Sequence, residues 1–544
     1  MKIAWKHPRT LVILAIGALL VAGLLTFRNY GMSWDEKTQY VLGYETYETV
    51  VHGMPYSTAP NHRFHGPVFE FLLYAAPIHL GITNPRMIFF ARHLITFLLY
   101  FGGVVGFVFL LWRYFRNWWV TLAGILMLVL HPRIYGHAFF NARDVPTMAM
   151  FIITITTLLW LLERPRWERA VVHGIFCAVL ISLRMTGVLL PMLTLFFLAV
   201  QAWNRRKEHA VVARTLHVVA VYAVVCILAT ICFWPLLWTN PLGNFIDAYR
   251  YMSSKSPDGF YMGARTPGNP WHWIPVWVTI TTPLLYTALF VMGFAQSIAR
   301  AIRSPLRFLG EHPNESVILL WLLAPLTSVI VFRAGIFDEW RHVYFIYPAM
   351  IILALQALLF LWKYIERLYN SKIRAVVRNI LIGALGLTFA FTALQIVRNH
   401  PVEYASFSVP KSLVEGKFEL DYWGLSFRQG LEWILKHDPS PLIPVYPSSS
   451  PGFSSINLLT AKDRLRIVLV KDPLLAYYVL DNYRWSDYKH EITESTKIHS
   501  VYVDGIEVMG IYQNPYKDSI QFAPDLKLVD PNSMLLLFSP GSMK

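Results

Sequence analysis

The chain is poor in charge. Of its 544 residues only 15% are Asp, Glu, Lys or Arg, and 33 acids face 48 Lys and Arg. Soluble domains average about 25% charged residues, so an ordinary water-soluble protein is excluded. Cysteine is nearly absent. Cys177, Cys226 and Cys232 are the whole set, and each lies in an apolar stretch. They have no metal-ligand spacing and cannot form a disulfide framework, which leaves them as small packing residues. Phosphate-binding glycine loops, dinucleotide fingerprints and zinc signatures are missing as well. Internal repeats and low-complexity tracts are not found. The formal net charge of +15 invites a nucleic-acid reading, but no basic–aromatic strand-binding motif accompanies it.

What the chain has is apolar sequence, 55% of all residues. Runs near the ~20 residues that cross a bilayer fall at 10–27, 87–112, 118–136, 147–162, 171–183, 186–200, 211–236, 275–297, 316–332, 343–362 and 377–397. This pattern predicts a polytopic α-helical membrane protein of about eleven spans. The first run follows Lys2, Lys6 and Arg9 but has no small-residue cleavage site after it, so it reads as a retained span. Basic residues then gather in alternate loops: Arg113 and Arg116, Arg164 to Arg169, Arg205 to Lys207, Arg300 to Arg307, and Lys363 to Arg378. The positive-inside rule makes those loops cytoplasmic, with the N-terminus inside. The segments 28–86, 137–146, 239–274, 333–342 and all that follows 397 then face outward. The run Pro67 to Leu80 is too short to span and would invert the scheme, so it reads as an interfacial helix within the first outer loop.

The chain divides at 397. Residues 1–397 form the membrane domain and 398–544 a small extracytoplasmic α/β domain. In the latter, Ser426 and Gln429 make a capping-box pattern for a helix through Leu435. Arg466 to Val470 reads as a buried strand. Asp504-Gly505 between His499–Val503 and Glu507–Tyr512 is a hairpin signal.

Two outward acids stand out. Ser33-Trp34-Asp35-Glu36 follows the first span. Ser33 and Glu36 make a capping box for a helix over 34–51, which explains Glu36 without chemistry. Asp35 sits in the first turn, where the helix dipole keeps it ionised, as a general base requires. The second acid closes His131-Pro132-Arg133 through His137, Asn141, Arg143, Asp144 and Pro146. Pro146 fits the first position of the next helix and would set Asp144 at that helix's outer end. Arg184 interrupts an apolar stretch and marks a tight outward turn. Arg63 with His62 and His65, then Lys255, Arg265, Arg333, Arg341 and His342, complete the outward cations. Arginine is suited to phosphate through its bidentate fork. Trp238, Tyr249, Tyr251, Phe260, Tyr261, Trp271 and Trp273 read as an interfacial aromatic belt or as a sugar- or lipid-contacting flap.

Ordered along the chain, these features resemble the GT-C membrane glycosyltransferases. The nearest branch is the protein O-mannosyltransferase and lipid A aminoarabinose transferase family, including its uncharacterised bacterial members. Ser33-Trp34-Asp35-Glu36, His65-Gly66-Pro67-Val68 (like the family's His-Pro-Pro-Leu, with Gly66 for proline), Asn141-Ala142-Arg143-Asp144-Val145-Pro146 and the run Phe418 to Gly424 carry the likeness. It implies an inverting transfer of a sugar from a polyprenyl-phosphate donor to a hydroxyl on a protein, lipid or glycan, at the outer face of the cytoplasmic membrane. It implies Asp35 as base, with Glu36 and Asp144 in the catalytic set. Arg184, Arg63, His65, Arg143, Arg265 and Arg341 would bind substrate or the leaving phosphate. Family members differ on metal dependence, so a divalent metal ion stays open. The partners implied are the lipid-linked donor, membrane lipids and the acceptor, with no nucleic acid. Two readings compete: a transporter or flippase of a lipid-linked saccharide, against which the lack of internal symmetry counts, and a noncatalytic assembly protein. Convergence of Asp35, Asp144 and Arg184 in one cavity would favour the enzyme.

Overall fold

The computed structural model describes residues 7–254, 258–331, 335–484 and 495–517. It is a multi-pass helical membrane protein with a small C-terminal sheet region. The first nine helices are α1 (Pro8–Thr26), α2 (Glu36–His52), α3 (Pro60–Arg63), α4 (Val68–His79), α5 (Pro85–Phe115), α6 (Trp118–Val129), α7 (Pro132–Phe140), α8 (Asp144–Glu163) and α9 (Trp167–Leu183). Among the described residues nine helices are long and apolar enough to cross a membrane, and α6 with α7 makes a bent tenth. The eleventh expected span, α9, has 17 residues and falls short on length. It nonetheless runs the depth of α8. Arg169 at its start donates to the Trp160 carbonyl near the end of α8, and Arg184 at its end pairs with Asp144 at the start of α8.

Two expected spans are broken, both at proline. The expected 118–136 helix stops at Val129 and restarts at Pro132, bent by 65°. Pro132 has no N–H to donate, and the His131 ring accepts the Ile134 N–H at 3.5 Å, capping the new helix. The expected 275–297 helix is split into Trp273–Thr281 and Leu284–Arg303 around Pro283. As expected, Pro67 to Leu80 holds a short helix, α4. It packs on α2 and starts next to a tight approach: a Cβ on Gly66 would lie 2.2 Å from the Ser182 carbonyl oxygen. The family's proline would not fit there without movement.

Burial ranks the helices. In the apolar windows of α8 and Arg341–Glu366, 72% and 78% of residues are buried, against 17% in α1 and 11% in Ser371–Asn399. The two central spans are therefore α8 and 341–366, and each begins with a charged residue, Asp144 and Arg341. Both starts lie at one end of the bundle, called here the site end. The opposite end is tied by Arg113, which donates to the Leu159 carbonyl at 2.8 Å, and by the Arg300–Glu315 pair.

At the site end stand the strands. A hairpin pairs β1 (Asp258–Tyr261) with β2 (Ala264–Pro267). A five-stranded sheet follows, from β3 (Ile443–Pro447), β4 (Ile467–Leu469), β5 (Tyr478–Asp481), β6 (Thr496–Val503) and β7 (Ile506–Gln513), in the order β4-β3-β5-β7-β6. The expected hairpin is β6–β7, with Val503 paired to Ile506. Asp504 and Gly505 between them have φ of 50° and 78°, the left-handed pair that a two-residue turn needs. The expected strand at 466–470 is β4, an edge strand. The helix expected from Ser426 is Ser426–His437, but its capping box is absent. Ser426 Oγ donates to Asp421 instead. The sheet has its own core around Leu431, Val445, Leu480 and Ile511. Apolar residues between Val402 and Leu425, among them Tyr404, Phe407, Phe418 and Trp423, belong to the core of the membrane helices, and Arg428 donates to the Tyr30 carbonyl at 2.9 Å. The two regions are thus knitted together past the composition break at 397.

Candidate active site

Asp144 is the fixed point. It is the first residue of α8, and Asn141 builds its surroundings. The Asn141 side-chain oxygen accepts the backbone N–H of Asp144 at 2.9 Å and of Arg143 at 3.2 Å. Its amide donates to Asp144 Oδ2 at 2.8 Å. Pro146 is the third helical residue, not the first, but is still in the turn whose N–H groups have no helical partner. Two arginines complete the shell. Arg341 donates to Asp144 Oδ2 at 2.8 Å, and Arg184 pairs with Oδ1. One carboxylate thus holds two guanidiniums, and the trio keeps one net positive charge.

Each arginine is delivered by a turn. Arg184 ends α9, and its carbonyl accepts the Gly187 N–H at 2.8 Å to open the turn into the next span. Arg341 follows Asp338 and Glu339, whose φ of 52° and 37° are left-handed, a conformation that strains non-glycine residues. Buried partners impose it. Glu339 takes an ion pair from Arg133 at 3.0 Å and lies 3.3 Å from the His137 ring. Burial alone would raise its carboxyl, but Arg133 and His137 hold it below the usual range. Asp338 lies 3.6 Å from Arg341; burial and then Glu339 push its carboxyl well up. Arg341 also lies over the Trp423 and Tyr422 rings, at 4.6 and 5.3 Å, a favourable cation–π arrangement.

A cavity of about 440 Å³ opens on this trio. Asp35, His65, Arg143, Asp144, Arg184 and Arg341 all line it, with Trp34, Thr38, His342 and Tyr422. Asp35 precedes α2, is half-buried, and caps nothing with its side chain. Among the described residues no side chain hydrogen-bonds or ion-pairs with its carboxylate. Arg143 is held by Glu70 at 2.8 Å.

The rest of the expected set lies elsewhere. Glu36 is buried behind the cavity wall, where it accepts the Ser33 N–H at 2.6 Å and contacts the His93 ring at 2.8 Å. Ser33 Oγ makes no reciprocal bond, so half of the capping box forms. Arg63 lies over the Phe64 ring at 5.0 Å and does not line the cavity. His62 pairs with Glu45 at 2.8 Å. Arg265 lines a second cavity. Lys255 and Arg333 lie outside the described residues. The aromatic segment divides: Tyr261 and Trp273 are buried and stacked at 4.7 Å, while Trp238, Tyr249 and Trp271 are exposed. The three cysteines are free thiols.

The sequence reading passed over Glu70, His93, Asp338 and Glu339. Only Arg341 signalled the last two. Tyr422 lay inside the run 418–424 but was given no role. Among the described residues no group of three His, Cys, Asp or Glu side chains is placed to hold a metal ion, and both oxygens of Asp144 are engaged by protein. This donor set does not fit a resident divalent ion.

No family model matches the chain, and no curated protein sequence matches it. Solved structures do. ArnT from Cupriavidus metallidurans, bound to undecaprenyl phosphate, aligns over 92% of this chain and 98% of its own, with 15% identity and a TM-score of 0.52. The archaeal oligosaccharyltransferase AglB from Archaeoglobus fulgidus, in complex with an inhibitory peptide and a dolichol-phosphate, aligns over 88% of this chain and 70% of its own, with 11% identity and a TM-score of 0.50. At such identities the likeness is one of fold, and it runs through the membrane helices and the C-terminal region alike: this chain has the fold of the GT-C membrane glycosyltransferases.

Proposed function

We propose that the protein is an inverting glycosyltransferase. It moves a hexosyl or pentosyl group from a polyprenyl-phosphate donor to a hydroxyl on a protein, lipid or glycan at the outer face of the cytoplasmic membrane. One observation carries the reading: Asp35, whose carboxylate makes no hydrogen bond or ion pair among the described residues, shares a cavity with two guanidiniums locked in place by Asp144. A base and an anion site thereby face one space. The undecaprenyl phosphate bound by ArnT and the dolichol-phosphate bound by AglB support a lipid-linked donor.

In the reaction, Asp35 accepts the proton of the acceptor hydroxyl. The acceptor oxygen forms a bond to the anomeric carbon from the face opposite the phosphate. The bond from that carbon to the phosphate oxygen breaks, and its electron pair leaves with polyprenyl phosphate. Negative charge grows on the leaving phosphate as the sugar departs. Arg184 and Arg341 meet that charge with their orientation already fixed, which favours the transition state over the ground state. Asp144 has no free oxygen to act as base; it is the positioning residue of the pair. The strained turn at Asp338–Glu339 and the Asn141 bonds serve the same end.

The test is purified protein in nanodiscs with radiolabelled polyprenyl-phosphate sugars and hydroxyl acceptors of each class (oligosaccharides, a membrane lipid extract, Ser/Thr peptides), scored for free polyprenyl phosphate and labelled product. Consumption of donor by the wild type and not by Asp35→Asn is expected. Transbilayer movement of intact donor in proteoliposomes, without consumption, would establish the flippase reading instead.

A further inference from the structure

A second cavity, of about 470 Å³, lies beside the first. Its walls come from the β1–β2 hairpin (Phe260, Arg265), from the run 418–422, and from the residues after β5 (Asn482 to Arg484). Tyr422 lines both cavities. The partition between them is ordered by stacking. The Arg484 guanidinium lies 3.8 Å from the Tyr422 ring and 4.2 Å from the ring of Trp34, which lines the first cavity beside Asp35. Arg484 also donates to the Tyr422 carbonyl at 3.0 Å. A molecule seated in the second cavity therefore lies one side chain, Tyr422, from the space that Asp35 faces.

We propose that this second cavity is the acceptor subsite and that its occupant is a saccharide; the inference rests on the transferase reading of the first cavity. The chemistry of the walls selects the class. Aromatic rings of Phe260, Phe418 and Tyr422 line it with apolar surface, while Arg265 and Glu419 add a charged donor and acceptor between them. A sugar ring presents that same mixture, an apolar C–H face rimmed by hydroxyls. A lipid tail needs a continuous apolar wall, which the interleaved charges deny. An extended peptide needs a free strand edge. On the side of the run 414–418 the hairpin has none: Tyr261 is bridged to Phe418, and the Gly263 N–H donates to the Lys417 carbonyl at 3.0 Å. Asp421, although it lines the cavity, is spent on Tyr404, Ser426 and the Gly424 N–H. Asn482 is engaged likewise, its amide donating to the Asp421 carbonyl at 2.8 Å. Recognition thus falls to Arg265, Glu419 and the rings. The saccharide's terminal hydroxyl, held past Tyr422, is the one that gives its proton to Asp35 and bonds to the donor's anomeric carbon.

The experiment uses the full chain in nanodiscs with two sets of probes. The acceptor-side probes are mannotriose, chitotriose and maltotriose, followed by saturation-transfer NMR. The donor-side probe is undecaprenyl phosphate, followed by thermal shift. At least one trisaccharide should bind, and Arg265→Ala and Phe260→Ala should each weaken it at least tenfold while leaving the undecaprenyl phosphate shift unchanged. Arg184→Ala should do the reverse. Absence of binding by all three trisaccharides, or Arg265-dependent binding of a Ser/Thr heptapeptide or a lysophospholipid in their place, overturns the assignment. Undecaprenyl phosphate binding that survives Arg184→Ala and Arg341→Ala would sink the donor reading alone, with the saccharide result still standing.

Discussion

Asp144 has two guanidiniums and an amide on its oxygens, whereas Asp35 makes no hydrogen bond or ion pair among the described residues and feels Arg184 and Arg341 only through space. Removing the two charges should therefore fail in different ways. Asp35→Asn takes away a proton acceptor but no hydrogen bond or ion pair that holds the fold, because the helix start rests on Glu36. Transfer should fall by roughly 10²–10⁴-fold, with the melting temperature nearly unchanged. Wild-type turnover by a folded Asp35→Asn protein would defeat the base assignment. Asp144→Asn leaves two buried guanidiniums facing each other. It should lower both donor affinity and thermal stability, by several kcal/mol if the pair stays unmatched. The arginines carry a geometric requirement as well as charge. Arg184→Lys keeps the charge but loses the fork that reaches both Asp144 and a phosphate. Single-turnover transfer at saturating donor should be clearly impaired in Arg184→Lys and worse in Arg184→Ala. Equal rates for wild type and Arg184→Ala would reduce Arg184 to a turn residue.

At the scale of elements, the run 418–424 is a folded knot whose acid has an unusual titration. Burial pushes the Asp421 carboxyl up to about 6, against the pull of bonds from Ser426 and the Gly424 N–H. An unfolded Asp titrates near 3.9. The folded state therefore binds the proton more tightly, so stability falls as pH rises from about 4 to about 6 and stays lower above that. The difference is worth roughly 3 kcal/mol. Asp421→Asn keeps an acceptor for Tyr404 and cannot ionise. Its melting temperature relative to wild type should therefore rise between pH 4.5 and 7; a constant difference across that range would refute the titration. Elements also show where sequence was legible. Apolar length and the Asp504-Gly505 turn were read correctly because they are local: a span needs only its own residues, and a two-residue hairpin only its left-handed pair. The capping box at Ser426 was misread because its hydroxyl is claimed by Asp421, five residues back, around a turn that no helix pattern encodes. The unbroken 118–136 span was misread because hydropathy outweighed Pro132, when the missing N–H at 132 and the His131 cap decide where the helix ends. The site was half-legible. Charges at helix starts marked Asp35, Asp144, Arg184 and Arg341. What Glu70, Asp338 and Glu339 do for them depends on packing between segments far apart in the chain.

For the molecule as a whole, the proposed transfer depends on which face of the membrane the site end meets. Its segments mix acids, arginines and aromatic residues, whereas the opposite end gathers Arg113, Arg164, Arg166, Arg205, Arg206, Lys207, Arg300 and Arg303 with fewer acids among them. The bias of Lys and Arg toward the cytoplasm argues for that opposite end inside and the site end outside, the placement that the proposed transfer requires. The crossing count bears on the same point. With α9 running the depth of α8 and α6 with α7 counted as one bent span, the described helices make an odd number of crossings, which would set Pro8 and Asn399 on opposite faces. If α9 did not cross, Asp144 and Arg184 could not stand together as they do with Glu163 and Trp167 at the far end. Thiol labelling decides it in a background where the three native cysteines are replaced by serine. Lys462→Cys, exposed on the C-terminal region, should react with an impermeant maleimide in intact cells. Glu208→Cys, exposed at the opposite end, should react only after lysis. Labelling of position 208 but not 462 in intact cells would turn the molecule over, place the cavity on the cytoplasmic face, and end the case for an outward-facing transferase.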